Sequence, residues 1–237
     1  MQTWSVGILC YNEAETLGKV VADLRSVLTQ LTDTFEILIV DDCSTDGSGK
    51  IGLELEQKYA DVRLVQHKVN KGIGGTLRSI YTNAQYENVG ICPADGQFDV
   101  KEYLIYPDIP ENHFVCFYRK ENTYYSLFRN ILSYLNKKLN QTFIGINMKD
   151  VNWAKVYKTG DLAHLDLQLT SSLIESEICA KLIFLGKTAI EVESKYLPRT
   201  YGVSKGGSAA ILKKAIKDTL VLIAIMRKFR KAKKKGL

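Results

Sequence analysis

Four short stretches of this chain gather side chains able to hold a polar ligand. They are Tyr11-Asn12-Glu13, Asp41-Asp42-Cys43-Ser44-Thr45-Asp46-Gly47-Ser48, Asn70-Lys71-Gly72 and Ala94-Asp95-Gly96-Gln97, and each follows a short apolar run. Acids or amides occupy all four, so hydrogen-bond acceptors recur at equivalent places. Taken singly, Asp46 or Ser44 reads equally well as the cap of a following helix, but capping does not account for the whole set. Other chemistries drop out. His67, His113 and His164 are dispersed, and no Ser/His/Asp arrangement suggests itself. Gly72-Ile73-Gly74-Gly75-Thr76 brushes the dinucleotide fingerprint but lacks its later glycine, and Gly47-Ser48-Gly49-Lys50 runs into Ile51, where a phosphate-binding P-loop needs a hydroxyl. The five cysteines are an odd number with no C-x-x-C spacing, which points to reduced, buried thiols rather than a metal or disulfide framework.

Short apolar runs alternate with helical patterns and must position these residues. Trp4–Cys10, Phe35–Val40, Val62–Gln66 and Val89–Cys92 read as buried strands. Between them, 14–31 carries Leu17, Val20, Val21, Leu24, Val27, Leu28 and Leu31 at helical spacing, and helices are expected over 48–59 and about 75–85. Strand and helix in alternation with short connections predict an α/β fold: a Rossmann-like, mostly parallel central sheet with helices on both faces. Further on, strands are expected at 114–118, 153–157 and 188–196, with helices at 124–139 and 171–185. In such sheets ligands bind beyond the carboxyl ends of the strands, where all four polar stretches lie.

The chain has 237 residues, 46% hydrophobic and 24% charged, enough for a large core. Its formal net charge of +6 is uneven: Lys213 onward holds ten basic residues and one acid, so the preceding residues are slightly acidic. A body without a positive stripe argues against a nucleic-acid partner. The N-terminus lacks a signal-peptide pattern, and no apolar run approaches the roughly 20 residues that span a bilayer.

In order along the chain, Tyr11-Asn12-Glu13, Val40-Asp41-Asp42-x-Ser44-x-Asp46-Gly47-Ser48, Asn70-Lys71-Gly72-x-Gly74, Ala94-Asp95-Gly96-Gln97, Arg119, Arg129 with Ser133 and Asn136, Glu177, Glu191-Val192 and Arg199-x-x-Gly202-x-Ser204-Lys205 match a known pattern. The sequence resembles the family 2 glycosyltransferases of the GT-A fold, above all the branch containing dolichol-phosphate mannose synthase and bacterial polyprenyl-phosphate glycosyltransferases. The resemblance covers about residues 4–205, and it implies a glycosyltransferase domain over 1–205 followed by a basic helical tail over 206–237. It implies that Tyr11, Glu13, Val40, Asp42, Ala94, Asp95, Gln97, Arg119 and Lys205 bind a nucleotide-sugar donor. Asp95, Arg119 and Arg199 are the implied catalytic residues, and Asp41 is the less certain of the adjacent acids. The family's D-x-D metal motif departs here, with Pro93 in place of the first aspartate. Asp95 and Gln97 are therefore expected to ligate Mg²⁺ or Mn²⁺, the diphosphate completing the shell, with a metal-independent or weakly metal-binding variant as the other reading; Asp99, which could substitute as a ligand, reads rather as the cap of the next helix.

For a lipid monophosphate acceptor the nucleophile is already anionic, and cations such as Arg119, Arg199, Lys205 and Arg129 must hold two phosphates together. A hydroxyl acceptor on a glycan or glycolipid would need a base, for which Asp150 and Glu177 are candidates, although Glu177, expected on an amphipathic helix, also reads as a brace for an Arg. A catalytically silent nucleotide-sugar-binding or scaffold protein is the reading from another class. In the tail, Ile211, Leu212, Ala215, Ile216, Thr219, Leu220, Ile223, Met226 and Phe229 fall at helical spacing beside many cations. That pattern suits peripheral contact of 208–235 with the cytoplasmic face of an anionic membrane; docking on the body or a homo-oligomer contact is the other reading.

Overall fold

In the computed structural model, described over residues 1–119, 138, 140–199 and 209–235, seven strands form one sheet. They are β1 (Trp4–Cys10), β2 (Phe35–Asp41), β3 (Val62–Gln66), β4 (Asn88–Pro93), β5 (His113–Arg119), β6 (Lys155–Lys158) and β7 (Thr188–Ser194), in the order β3-β2-β1-β4-β6-β5-β7. β1 pairs in parallel with β2 and β4, β2 with β3, and β5 with β7; only β6 runs against both its neighbours. Consequently β1, β2, β3, β4, β5 and β7 all deliver their carboxyl ends to one rim, and β6 is entered from that same rim.

The helices are α1 (Ala14–Leu31), α2 (Ser48–Lys58), α3 (Gly72–Asn83), the short α4 (Thr159–Ala163), α5 (Ile174–Phe184) and α6 (Ala209–Lys235). The expected α1 face is buried, Leu17 through Leu31 packing with Trp4, Val6, Ile8 and Cys10 on one side of the sheet. The opposite side packs Leu77 and Ile80 of α3, Ile174 and Ile178 of α5, and Leu222 and Met226 of α6. α3 comes close because β1 has Gly7 where a Cβ would lie 2.2 Å from Ile80. Asp99 caps a 3₁₀ turn over Val100–Ile105, accepting from Lys101 N–H.

Several boundaries move for physical reasons. α3 begins at Gly72 rather than near 75, because the Asp42 carboxylate, thirty residues away, accepts the Lys71 and Gly72 N–H groups. β6 begins at Lys155, leaving Trp153 in the approach to the strand. The helix carrying Glu177, expected to be amphipathic, is buried from Ile174 to Leu182, so that expectation is corrected. Apart from residue 138, the helix expected over 124–139 lies outside the described residues, as does the proposed division at 205/206.

α6 lies along the body. Thr219, Leu222, Ile225 and Met226 are buried and the Phe229 ring meets Phe184 edge-on at 5.9 Å. Arg230 donates to the carbonyl of Ile144. The inward face thus includes Leu222 and Ile225 from beside the expected stripe, while Leu220, a member of that stripe, is 65% exposed.

Candidate active site

At the rim, the loops after β1 and β2 are tied together. Asn12, in a left-handed backbone conformation with φ 55°, donates its N–H to Ser44 Oγ and accepts Thr45 N–H on Oδ1. Glu13 N–H donates to Ser48 Oγ and Ala14 N–H to Asp46 Oδ2. Asp46 also accepts Ser48 N–H, so it takes up the first N–H of α2 while bridging to α1. Burial alone would raise its pKa, but the Ser48 hydroxyl and the backbone N–H groups of Ala14 and Ser48 outweigh that and lower it. Thr16 adds a hydroxyl hydrogen bond to the Ala94 carbonyl, tying α1 to the end of β4.

The carboxylates and cations meet over this floor. Arg199 pairs with Glu13, 186 positions away, and its Nη1 lies 4.0 Å from Asp95 Oδ2. Asp95 keeps 19% of its side chain exposed. Burial pushes its pKa up, against the pull of the Gln97 N–H bond and Arg199. Gln97 donates its side-chain amide to Tyr196 OH at 2.8 Å, which leaves its amide oxygen as the atom suited to a hard cation. Among the described residues no three metal-ligating side chains cluster. Asp95 and the Gln97 oxygen do fit a site in which a bound diphosphate supplies the remaining ligands.

Arg119, at the end of β5, is gripped from two sides. Its Nε donates to Asp150 Oδ2 at 2.7 Å and its Nη2 to Asp150 Oδ1 at 3.3 Å, while the guanidinium lies 4.6 Å from the centre of the Trp153 ring and 5.7 Å from that of Tyr196. Trp153 itself is fixed by Nε1–H to Ser194 Oγ at 2.8 Å and by a ring contact with Tyr196. Burial works against the Asp150 anion, yet the Arg119 hydrogen bond and charge, Asn152 N–H and Lys155 together hold it below the ordinary carboxylate range. Trp153 and Tyr196 are the site residues that sequence reasoning missed; an aromatic inside an apolar run carries no mark of its rim position.

Tyr11, Glu13, Asp95, Gln97, Arg119 and Arg199 therefore present surface at the rim, whereas three expected nucleotide contacts do not. Val40 is wholly buried in the core, and Ala94 is 1% and Asp42 2% exposed. The Asp42 carboxylate is committed to Lys71 N–H, Gly72 N–H and His67 Nδ1. His67 Nε2 in turn lies 2.8 Å from Ser79 Oγ, so a Ser/His/Asp row exists that the sequence did not suggest. It runs from a helix interior to a capping carboxylate and acts as a brace. Asp41, also buried, accepts Ser44 N–H. Glu177, itself fully buried, accepts the N–H groups of Gln168 and Leu169 and the Lys181 ammonium. Lys205, Arg129, Ser133 and Asn136 lie outside the described residues.

Several solved structures share this architecture. A mannosyltransferase from Pyrobaculum calidifontis in complex with GDP-Man and Mn²⁺ aligns over 90% of this chain and 64% of its own, with TM-score 0.58 and 20% identity. Glucosyl-3-phosphoglycerate synthase from Mycobacterium tuberculosis, in complex with Mn²⁺, UDP-glucose and phosphoglyceric acid, aligns over 94% and 80%, with TM-score 0.66 and 15% identity. At these identities the likeness establishes the GT-A fold. Among curated sequences, a dolichyl-phosphate beta-glucosyltransferase of Mus musculus is 31% identical over 99 residues, 39% of this chain but only 31% of the relative's length. The model of glycosyl transferase family 2 matches residues 5–141, more than half of the chain, and the protein belongs to that family.

Proposed function

We propose that this protein transfers a sugar from a nucleotide-diphosphate donor to a polyprenyl phosphate, with inversion at the anomeric carbon. The observation that carries the reading is the convergence of Asp95, Gln97, Arg199, Glu13 and Arg119 on the rim where six strands end. A bound Mg²⁺ or Mn²⁺ would offset the charge of the departing nucleoside diphosphate. Asp95 and Gln97 are the residues that would hold it. Tyr11 and Glu13 flank the nucleotide end, with Asp42, Val40 and Ala94 supporting that floor from beneath. Arg119 and Arg199, with Lys205, steady the phosphates. An acceptor phosphate oxygen attacks the anomeric carbon as the bond from that carbon to the diphosphate oxygen breaks.

The alternative acceptor, a glycan or glycolipid hydroxyl, needs a carboxylate base. Asp150 is paired with Arg119 and Glu177 is buried under Lys181, which favours an acceptor that arrives already ionised. Purified protein given Mn²⁺, polyprenyl phosphate and a panel of nucleotide sugars should release nucleoside diphosphate and form a lipid-linked sugar. Turnover only with hydroxyl acceptors moves the reading to the alternative. Nucleotide binding without any turnover would leave the silent module.

Reaching such an acceptor calls for a membrane contact, and we assign it to α6. No helix among the described residues is long and apolar enough to cross a bilayer. The outward face of α6 shows Leu220 and Val221, followed by exposed Arg227, Lys228 and Lys231. Apolar and basic groups side by side suit the cytoplasmic surface of an anionic membrane, each cation contributing about 1 kcal/mol near it.

A further inference from the structure

Lys155, at the start of β6, is fully buried, and its ammonium donates to Val151 O at 2.6 Å and Trp153 O at 2.9 Å while lying 3.1 Å from Glu175 Oε2. Glu175, 3% exposed on α5, also accepts from Tyr157 OH at 2.8 Å and from Tyr81 OH. Apolar residues of similar volume would fill this place at little or no loss of stability, so the charges call for another explanation. Both carbonyls held by Lys155 belong to the segment from Asp150 to Trp153. The two ends of that segment are the residues that grip Arg119, one through its carboxylate and the other through its ring.

We propose that Lys155 and Glu175 are positioning residues for Arg119. The ammonium fixes the spacing of Asp150 and Trp153, and these fix the guanidinium at the rim. Glu175 fixes the ammonium in turn, held by tyrosines from α3 and β6. A line of direct contacts thus runs from the core helix α5 to the rim. The inference rests on the reading of Arg119 as a phosphate-holding group.

The test uses Lys155→Met/Glu175→Gln. Met keeps the aliphatic bulk, Gln keeps an acceptor for the tyrosine hydroxyls, and no lone buried charge remains. Lys155→Met alone strands the Glu175 carboxylate and is the poorer variant. In the double variant the cooperative melt should persist, while exchange of the Arg119 Nε–H with water, followed by ¹⁵N NMR, accelerates about tenfold or more. Turnover should fall about tenfold to a hundredfold with the donor KM within about twofold, the pattern of an interaction made mainly in the transition state. Arg119→Ala should cost much less in that background than in the parent. Unchanged Nε–H exchange, or an undiminished effect of Arg119→Ala, overturns the proposal. If exchange accelerates but Arg119→Ala leaves parental turnover intact, the positioning stands and the role given to Arg119 falls.

Discussion

Arg119 and Asp95 do opposite things with their surroundings. Asp150 neutralises and orients Arg119, whereas burial makes the Asp95 anion costly until a cation compensates it. Replacing Asp95 with Asn should lower turnover by about two orders of magnitude or more and leave the melting temperature nearly unchanged; near-normal activity would remove it from the reaction. Asp150 gives a pH prediction. Its folded pKa lies below the ordinary aspartate value of 3.8, so its contribution to stability is complete above that value and is lost as pH falls through the folded one. Urea midpoints of the parent and Asp150→Asn should differ near neutrality and converge as pH falls through the folded value. A constant gap would show that its charge adds nothing. The rim acids were legible because their residue types stand at the ends of apolar runs, whereas Arg119 and Arg199 were marked only by the family resemblance. The burial of Val40, Asp42 and Ala94 was not, since exposure depends on which neighbour covers a strand end.

At the level of elements, periodicity placed α1 to the residue and β1 to β4 within one, because an apolar face and its limits are written locally. The start of α3 was hidden, being set by a carboxylate from another loop. α5 was misread for a related reason: its charged residues are satisfied inside the protein, Glu175 by Lys155 and Glu177 by Lys181. No spacing rule separates a buried ion pair from a solvated face. α6 shows the same ambiguity, as two adjacent stripes could each have faced the body. Since Leu222 is fully buried in that contact, Leu222→Ala should destabilise the protein by about 2–5 kcal/mol in urea unfolding. A change under about 0.5 kcal/mol would mean that α6 does not dock in solution.

For the molecule as a whole, parallel strands and a ligand-binding rim followed from the alternation of elements. The reversed β6 did not, because four residues hold too little pattern to give a direction. Yet that reversal brings the segment 150–153 to the rim beside Arg119. The two faces of α6 separate attachment from folding: Arg227→Glu/Lys228→Glu/Lys231→Glu alters exposed positions only. The triple variant should melt like the parent but float poorly with anionic liposomes, and the parent's own flotation should weaken as salt rises. Equal flotation of the two proteins would remove the membrane role.

The ties between the loops after β1 and β2 have a last consequence. With Asn12, Glu13, Ala14 and Thr45 each bonded across to the other loop, the landing place proposed for the nucleotide is built before any ligand arrives. Its conformational freedom was surrendered during folding, so little entropy is left to lose on association, and a small molecule can dock there as onto a rigid shelf.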